Sequence, residues 1–156
     1  MSEQTQALLA EFFSLDDLQS LTSDAGELLG CPILVVDDAF HVSSHFAPLG
    51  FVDPLFRTAV AGGEISYEAG AMISRSEALS AGRADFFGID GSPYRRRFSP
   101  LISAGVRLGY LVCIETGGRL QQVSDETWRT VESVLAKQLF IEASRQDKPF
   151  ETAEDV

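Results

Sequence analysis

Two runs near the end of the chain constrain the fold most. They are "YRRRFSPLIS" (94–103) and "RLGYLVCIET" (107–116), joined by Ala104-Gly105-Val106. Both are rich in strand-forming residues, and three linking residues leave room only for a hairpin. Along a strand the side chains alternate between faces. Tyr94, Arg96 and Phe98 therefore share one side of the first strand, and Arg95, Arg97 and Ser99 the other. On the second, Val106, Leu108, Tyr110, Val112 and Ile114 fall on one face and Arg107, Leu111, Cys113 and Glu115 on the other. Both faces of this second strand are largely apolar, so the hairpin belongs between two packed layers.

The rest of the chain supplies those layers. Residues 4–13 read as a short helix in an N-terminal extension spanning 1–13. Ser14 is placed to cap a second helix, whose stripe is Leu15, Leu18, Leu21, Ala25, Leu28 and Leu29 and whose stop is Gly30. "CPILVVDDAFHVSSHF" reads as a hairpin of strands 32–37 and 40–45 about an acidic turn. Asp53 and Pro54 open a helix that Gly62-Gly63 closes. "SYEAGAMISRSEALSAG" reads as one or two short helices, and "ADFFGIDGSP" as a connector with a brief strand at its start. After a polar loop at 117–122, Ser124 starts a last helix that runs to about Arg145 and is halted by Pro149. Its stripe is Trp128, Val131, Leu135 and Leu139, widened by Val134, Phe140 and Ile141. Strands in hairpins with helices at both ends give an α+β domain around a central antiparallel sheet. Residues 14–145 form the domain and 146–156 a linker.

Charge narrows the function. The net charge is −11, and nine acids precede the first basic residue, Arg57. Binding a phosphate backbone takes clustered cations. Alternation also splits the three consecutive arginines, so they do not form one basic patch. The chain is read as making no direct contact with nucleic acid. It is also read as cytoplasmic and off the membrane: the start lacks the basic residues of a signal peptide, and the longest apolar run has six residues.

No catalytic constellation stands out. Gly-rich phosphate loops and the G-x-S-x-G elbow are absent. His41 and His45, four residues apart on a strand, are about 13 Å from each other. That is too far to share one ion at bonds of about 2 Å. Cys31 and Cys113 sit in apolar runs, where a thiol is inert and needs no disulfide partner. The chain is expected to be no enzyme and to need neither cofactor nor metal.

Three stretches carry a likeness. In "LLGCPILVVDDAFHVSSHF" these are Leu28-Leu29-Gly30, Pro32, Asp37-Asp38 and Phe40-His41-Val42, with Cys31 where Asn is usual. In "YRRRFSPLISAGVRLGYLVCIE" they are Arg95–Arg97, Pro100-Leu101, Gly105 and Leu108-Gly109-Tyr110-Leu111. "VSDETWRTVESVLAKQLFIE" is the third. In this order they resemble the GAF-like N-terminal sensory domain of PucR/CdaR-type bacterial transcriptional regulators, over roughly residues 15–145.

The resemblance implies a GAF/PAS-like fold with the N- and C-terminal helices on one face of the sheet and a small-molecule pocket on the other. It also implies a following helix-turn-helix region that this chain lacks. The function it suggests is a dimerising regulatory domain sensing an unidentified small metabolite. Candidate pocket residues are Tyr67, Met72, Tyr94, Arg96 and Phe98, with Arg96 as the fork that would grip an anion. The alternative is a GAF-like interaction and dimerisation module with no ligand, its pocket filled by its own Phe side chains. An enzyme of the GAF-type methionine sulfoxide reductase kind would need mobile-loop cysteines, and both cysteines here fall in strands.

Overall fold

The computed structural model describes residues 6, 10, 12–14 and 17–154, with side chains to Arg145. Its elements in order are α1 (Leu18–Leu29), β1 (Ile33–Asp37), β2 (Val42–Phe46), α2 (Pro54–Gly62), α3 (Tyr67–Arg75), α4 (Glu77–Ser80), β3 (Asp85–Gly88), β4 (Arg95–Ser103), β5 (Val106–Ile114), a 3-10 turn (Arg119–Gln122) and α5 (Asp125–Glu154). The five strands form one antiparallel sheet in the order β2-β1-β5-β4-β3.

The sheet separates two cores. On its back face lie α1 and α5. Leu18, Leu21, Ala25 and Leu29 of α1 and Trp128, Val131, Leu135 and Leu139 of α5 pack on Ile33, Val35, Leu101, Leu111 and Cys113. On its front face the α2–α4 layer covers Leu34, Val36, Phe98, Tyr110, Val112 and Ile114. Burial on both sides is why β1 and β5 read as near-continuous apolar runs, while β4 brings Arg96 and Arg97 into the two layers.

Local chemistry sets the boundaries. Asp17, in extended backbone, accepts from the Ser20 N–H and caps α1. The expected cap, Ser14, lies in helical backbone three residues earlier. Leu15, placed on the α1 stripe, lies outside the described residues, as do residues 1–5, 7–9, 11 and 16. Residues 6, 10 and 12–14, within and just past the expected first helix, are helical. Gly30 ends α1 at φ 72°.

The first hairpin has a longer turn than its sequence suggests. Asp37 Oδ1 accepts from the N–H groups of Ala39 and His41, which holds residues 38–41 in a turn and delays β2 to Val42. Phe40 takes φ 68° within it. Asp53 caps α2 with Pro54 in its first turn, and Ser66 and Ser76 cap the two short helices.

The β4–β5 hairpin turns at Ala104 and Gly105, both at positive φ, the requirement of a two-residue type I′ loop. Its alternation is not continuous. Leu101 pairs with Gly109 and Ile102 with Arg107, so Leu108 is an extra residue. The bulge reverses the expected faces before Gly109. Tyr110, Val112 and Ile114 face the front as read, but Leu108 packs on the back core. Arg107 instead reaches α4, donating to the Leu79 carbonyl at 2.8 Å. Gly109 is required there, because a Cβ would sit 1.9 Å from the Val36 carbonyl oxygen.

Side chains close both sheet edges. The Gln19 carboxamide donates to the His45 carbonyl at 2.8 Å and accepts from its N–H at 3.4 Å, imitating a neighbouring strand on β2. On β3 the Phe86 N–H donates to Asp85 Oδ1, and the Phe86 carbonyl accepts from Arg95. Such groups deny an incoming strand its partners.

The last helix departs most from expectation. Ser124 Oγ accepts from the Thr127 N–H as a cap should. The helix then runs past Arg145 and Pro149 to Glu154, through most of the expected linker. Proline withholds one N–H, which the turn before it would have accepted, and the helical backbone continues beyond it.

Candidate functional site

The front face meets α2 around a buried ion pair. β4 starts at Arg95 and carries Arg96 into the front layer. There Arg96 Nη2 bonds Asp53 Oδ2, while Nη1 donates to Ser92 Oγ at 3.0 Å and to the Tyr94 carbonyl at 2.9 Å. Asp53 serves two purposes with one oxygen: Oδ2 also accepts the Phe56 N–H as the α2 cap. Its other oxygen, Oδ1, is buried and has no donor among the described residues. Neither arm of the pair reaches solvent to any useful extent, with the Asp53 side chain wholly enclosed.

Below this pair lies a cavity of about 20 Å³, lined by Leu34, Phe56, Ile65, Ile89, Arg96 and Phe98 among others. That is room for about one water molecule. Aromatic and aliphatic side chains fill the rest of the layer. Phe87 stacks on Phe98 with centroids 4.2 Å apart, and Phe51 lies edge-on to Phe56 at 5.5 Å. The arrangement can hold a charge in a fixed place. It offers no space for a metabolite-sized body, which takes several hundred Å³.

The five sequence-read residues therefore divide. Arg96 and Phe98 line the cavity. Tyr94 stands beside it, half-buried, its ring 5.6 Å from that of Phe51 and its carbonyl on Arg96. Met72 is half-buried against the front core. Tyr67 is elsewhere: at 91% exposure it borders an open groove of about 810 Å³ between α3 and the Phe40 turn. Glu64, Gly70, Ala71 and Arg75 line it, and the Phe40 ring lies against Gly70.

Two functional residues escape a reading of local pattern. Asp53 has a complete local explanation as a helix cap, and its partner stands 43 residues away. Arg97 shares its strand face by alternation with the exposed Arg95, yet it is only 8% exposed. Its Nη1 donates to Glu132 of α5 at 2.8 Å, and its guanidinium lies 3.6 Å from the Trp128 ring centroid. Trp128 and Glu132 are four apart on one helix face, so a cation reaching the pair meets a ring and a carboxylate together. That spacing was the available signal. Arg95 does reach the surface, over the Phe86 ring.

The cysteines are both buried and unbridged; Cys113 lies in β5 as expected, but Cys31, also expected in a strand, occupies the bend between α1 and β1. Burial pushes the Cys113 thiol well up, with a hydrogen bond to Cys31 adding to the shift. Among the described residues no group of three or more His, Cys, Asp and Glu side chains could hold a metal ion. No helix among them is long and apolar enough to cross a membrane.

No protein-family model matches the chain, and no curated protein matches it in sequence. Solved structures do match in shape. The GAF domain of an Acinetobacter phosphoenolpyruvate-protein phosphotransferase aligns with TM-score 0.57 at 11% identity, covering 92% of this chain and 97% of that one. The corresponding domain from Coxiella burnetii gives 0.56 at 11% identity, over 92% and 94%. The GAF domain of the potassium sensor histidine kinase KdpD from Escherichia coli gives 0.50 at 18% identity, over 92% and 96%. Sheet order, antiparallel pairing and two helical layers agree with these alignments: the chain has the GAF fold.

Proposed function

We propose that this chain is the dimerising regulatory domain of a PucR/CdaR-type bacterial transcriptional regulator, working through its terminal helices and not through a resident metabolite. The observation that carries this reading is the closed front layer. Its cavity holds about 20 Å³, and Arg96, the group that would grip an anion, is committed to Asp53, Ser92 and Tyr94. The domain is then no enzyme, and it acts in the cytoplasm on a second copy of itself and on the helix-turn-helix region of the whole regulator. Direct nucleic-acid contact does not fit, since two of the three clustered arginines are buried in ion pairs on an acidic chain.

The dimer surface is the back layer. Phe140 of α5 is 43% exposed, and Phe13 stands out from the preceding segment. Val134 and Ile141, the other residues outside the main stripe, are partly covered. Light scattering at micromolar concentration is expected to give twice the monomer mass, reduced to one by Phe140→Glu. A clean wild-type monomer sinks the dimer.

A second reading, metabolite sensing, is favoured by the open groove beside Tyr67. A thermal-shift screen separates the two, because a ligand of the native state raises stability by mass action. The first reading expects no stabilising metabolite. A hit lost in Tyr67→Ala would replace it with the second.

A further inference from the structure

Arg96 and Arg97 are consecutive, and each is a buried anchor on an opposite face of β4. One ties the strand to the cap of α2, the other to Glu132 and Trp128 of α5. A single peptide unit separates them. Opposite them on β5 stand Ile114 and Cys113, both fully buried, so the dipeptide is clamped between packed layers. A shift or roll of β4 at this point must move both guanidinium groups, because close-packed interiors transmit displacement instead of absorbing it.

The two anchors differ in how well they are satisfied. Asp53 holds Arg96 by one oxygen and leaves Oδ1 buried without a donor among the described residues, a costly arrangement for a carboxylate. The front anchor is thus the one with more to gain from a change of partner.

We infer that β4 is the transmission element of the domain: the Asp53–Arg96 pair on the front face and the Arg97–Trp128–Glu132 cluster on the back are energetically coupled through the Arg96-Arg97 dipeptide. What is done at Asp53 is felt at Trp128, and by linkage the reverse holds equally. The coupling does not depend on which end receives the signal. Only its use rests on the regulatory reading above.

Asp53→Asn keeps a side chain able to cap α2 and removes the charge. It is compared with Glu132→Gln and with the double variant in the full chain. Trp128 is the single tryptophan, so its indole N–H gives one nuclear magnetic resonance signal. Asp53→Asn is expected to move that signal by more than a linewidth. The unfolding constant of the double variant is expected to differ from the product of the single-variant factors by more than about threefold. Sites on opposite faces of a sheet that share no partner would agree within about twofold. Either an unmoved indole signal or factors that multiply within twofold overturns the coupling. Where Asp53→Asn fails to fold, Ser92→Ala, which removes one acceptor from Arg96, is read the same way. A monomeric chain with a moved signal upholds the coupling and sinks the dimer.

Discussion

The two buried arginine pairs are neighbours in sequence and opposites in physics. On the front face both partners are enclosed, and one carboxylate oxygen has no donor among the described residues. On the back face the Glu132 side chain is 23% exposed, and the arginine spreads its charge over an indole ring. Taking two charges out of water costs several kcal/mol per ion, recovered only where geometry and further bonds are complete. The back pair retains some solvent and a cation–π contact; the front pair relies on its hydrogen bonds. The same residue type is therefore a stabilising strut on one face and a guarded, expensive fixture on the other.

The sharpest way to test this contrast is Asp53→Ala. It strands the Arg96 charge in the interior and removes the α2 cap, and it is expected to cost about 3–5 kcal/mol in urea unfolding. A loss below about 1 kcal/mol would place the front pair in the same class as a surface bridge. Replacing both partners together, Asp53→Leu with Arg96→Met, removes charge and counter-charge at similar volume. Ion pairs so replaced are often neutral, leaving mainly the cap, so about 1–2 kcal/mol is expected. If the double change is as damaging as the single one, the penalty is shape and not charge.

Glu132→Gln keeps the shape of the back pair and leaves Arg97 on its ring with partial access to water. About 1 kcal/mol is expected, less at high salt, by the same denaturation. A cost matching that of Asp53→Ala would erase the asymmetry. Smallest is Tyr67→Ala, outside both pairs and almost fully exposed, expected within about 0.5 kcal/mol of wild type. A larger loss would show that the groove beside α3 is part of the folded core and not an open surface.

What the sequence discloses is what local chemistry decides. Asp53-Pro54 before an apolar run, Gly30 after one, and Ala104-Gly105 between two strands each name their element, because the responsible hydrogen bonds span a few residues. The GAF-like arrangement of sheet and helices follows from these in order. Three features stayed hidden for one reason. The bulge at Leu108 is set by how β4 and β5 pair, the Asp53–Arg96 bond joins segments 43 residues apart, and Arg97 meets a helix 35 residues on. Alternation assigns faces only while register is unbroken, and it does not say which charged side chain has a partner waiting beneath it. Of the candidate site, Arg96 and Phe98 were legible from one strand face. Tyr67 and Met72 come from the segment between the hairpins, and α3 sets Tyr67 on the open groove and Met72 against the front core.

The length of α5 changes what a small event at Trp128 is worth. Trp128 lies in its first turn, and the helical backbone runs on to Glu154, about 39 Å further at the rise of an α-helix. A rod of that length works as a lever arm with its fulcrum at the sheet. A tilt of about 5° at the Arg97 contact carries the far end through about 3 Å, comparable to the reach of a hydrogen bond. A movement too slight to open a cavity on the front face is enough, at the tip, to make or break a contact.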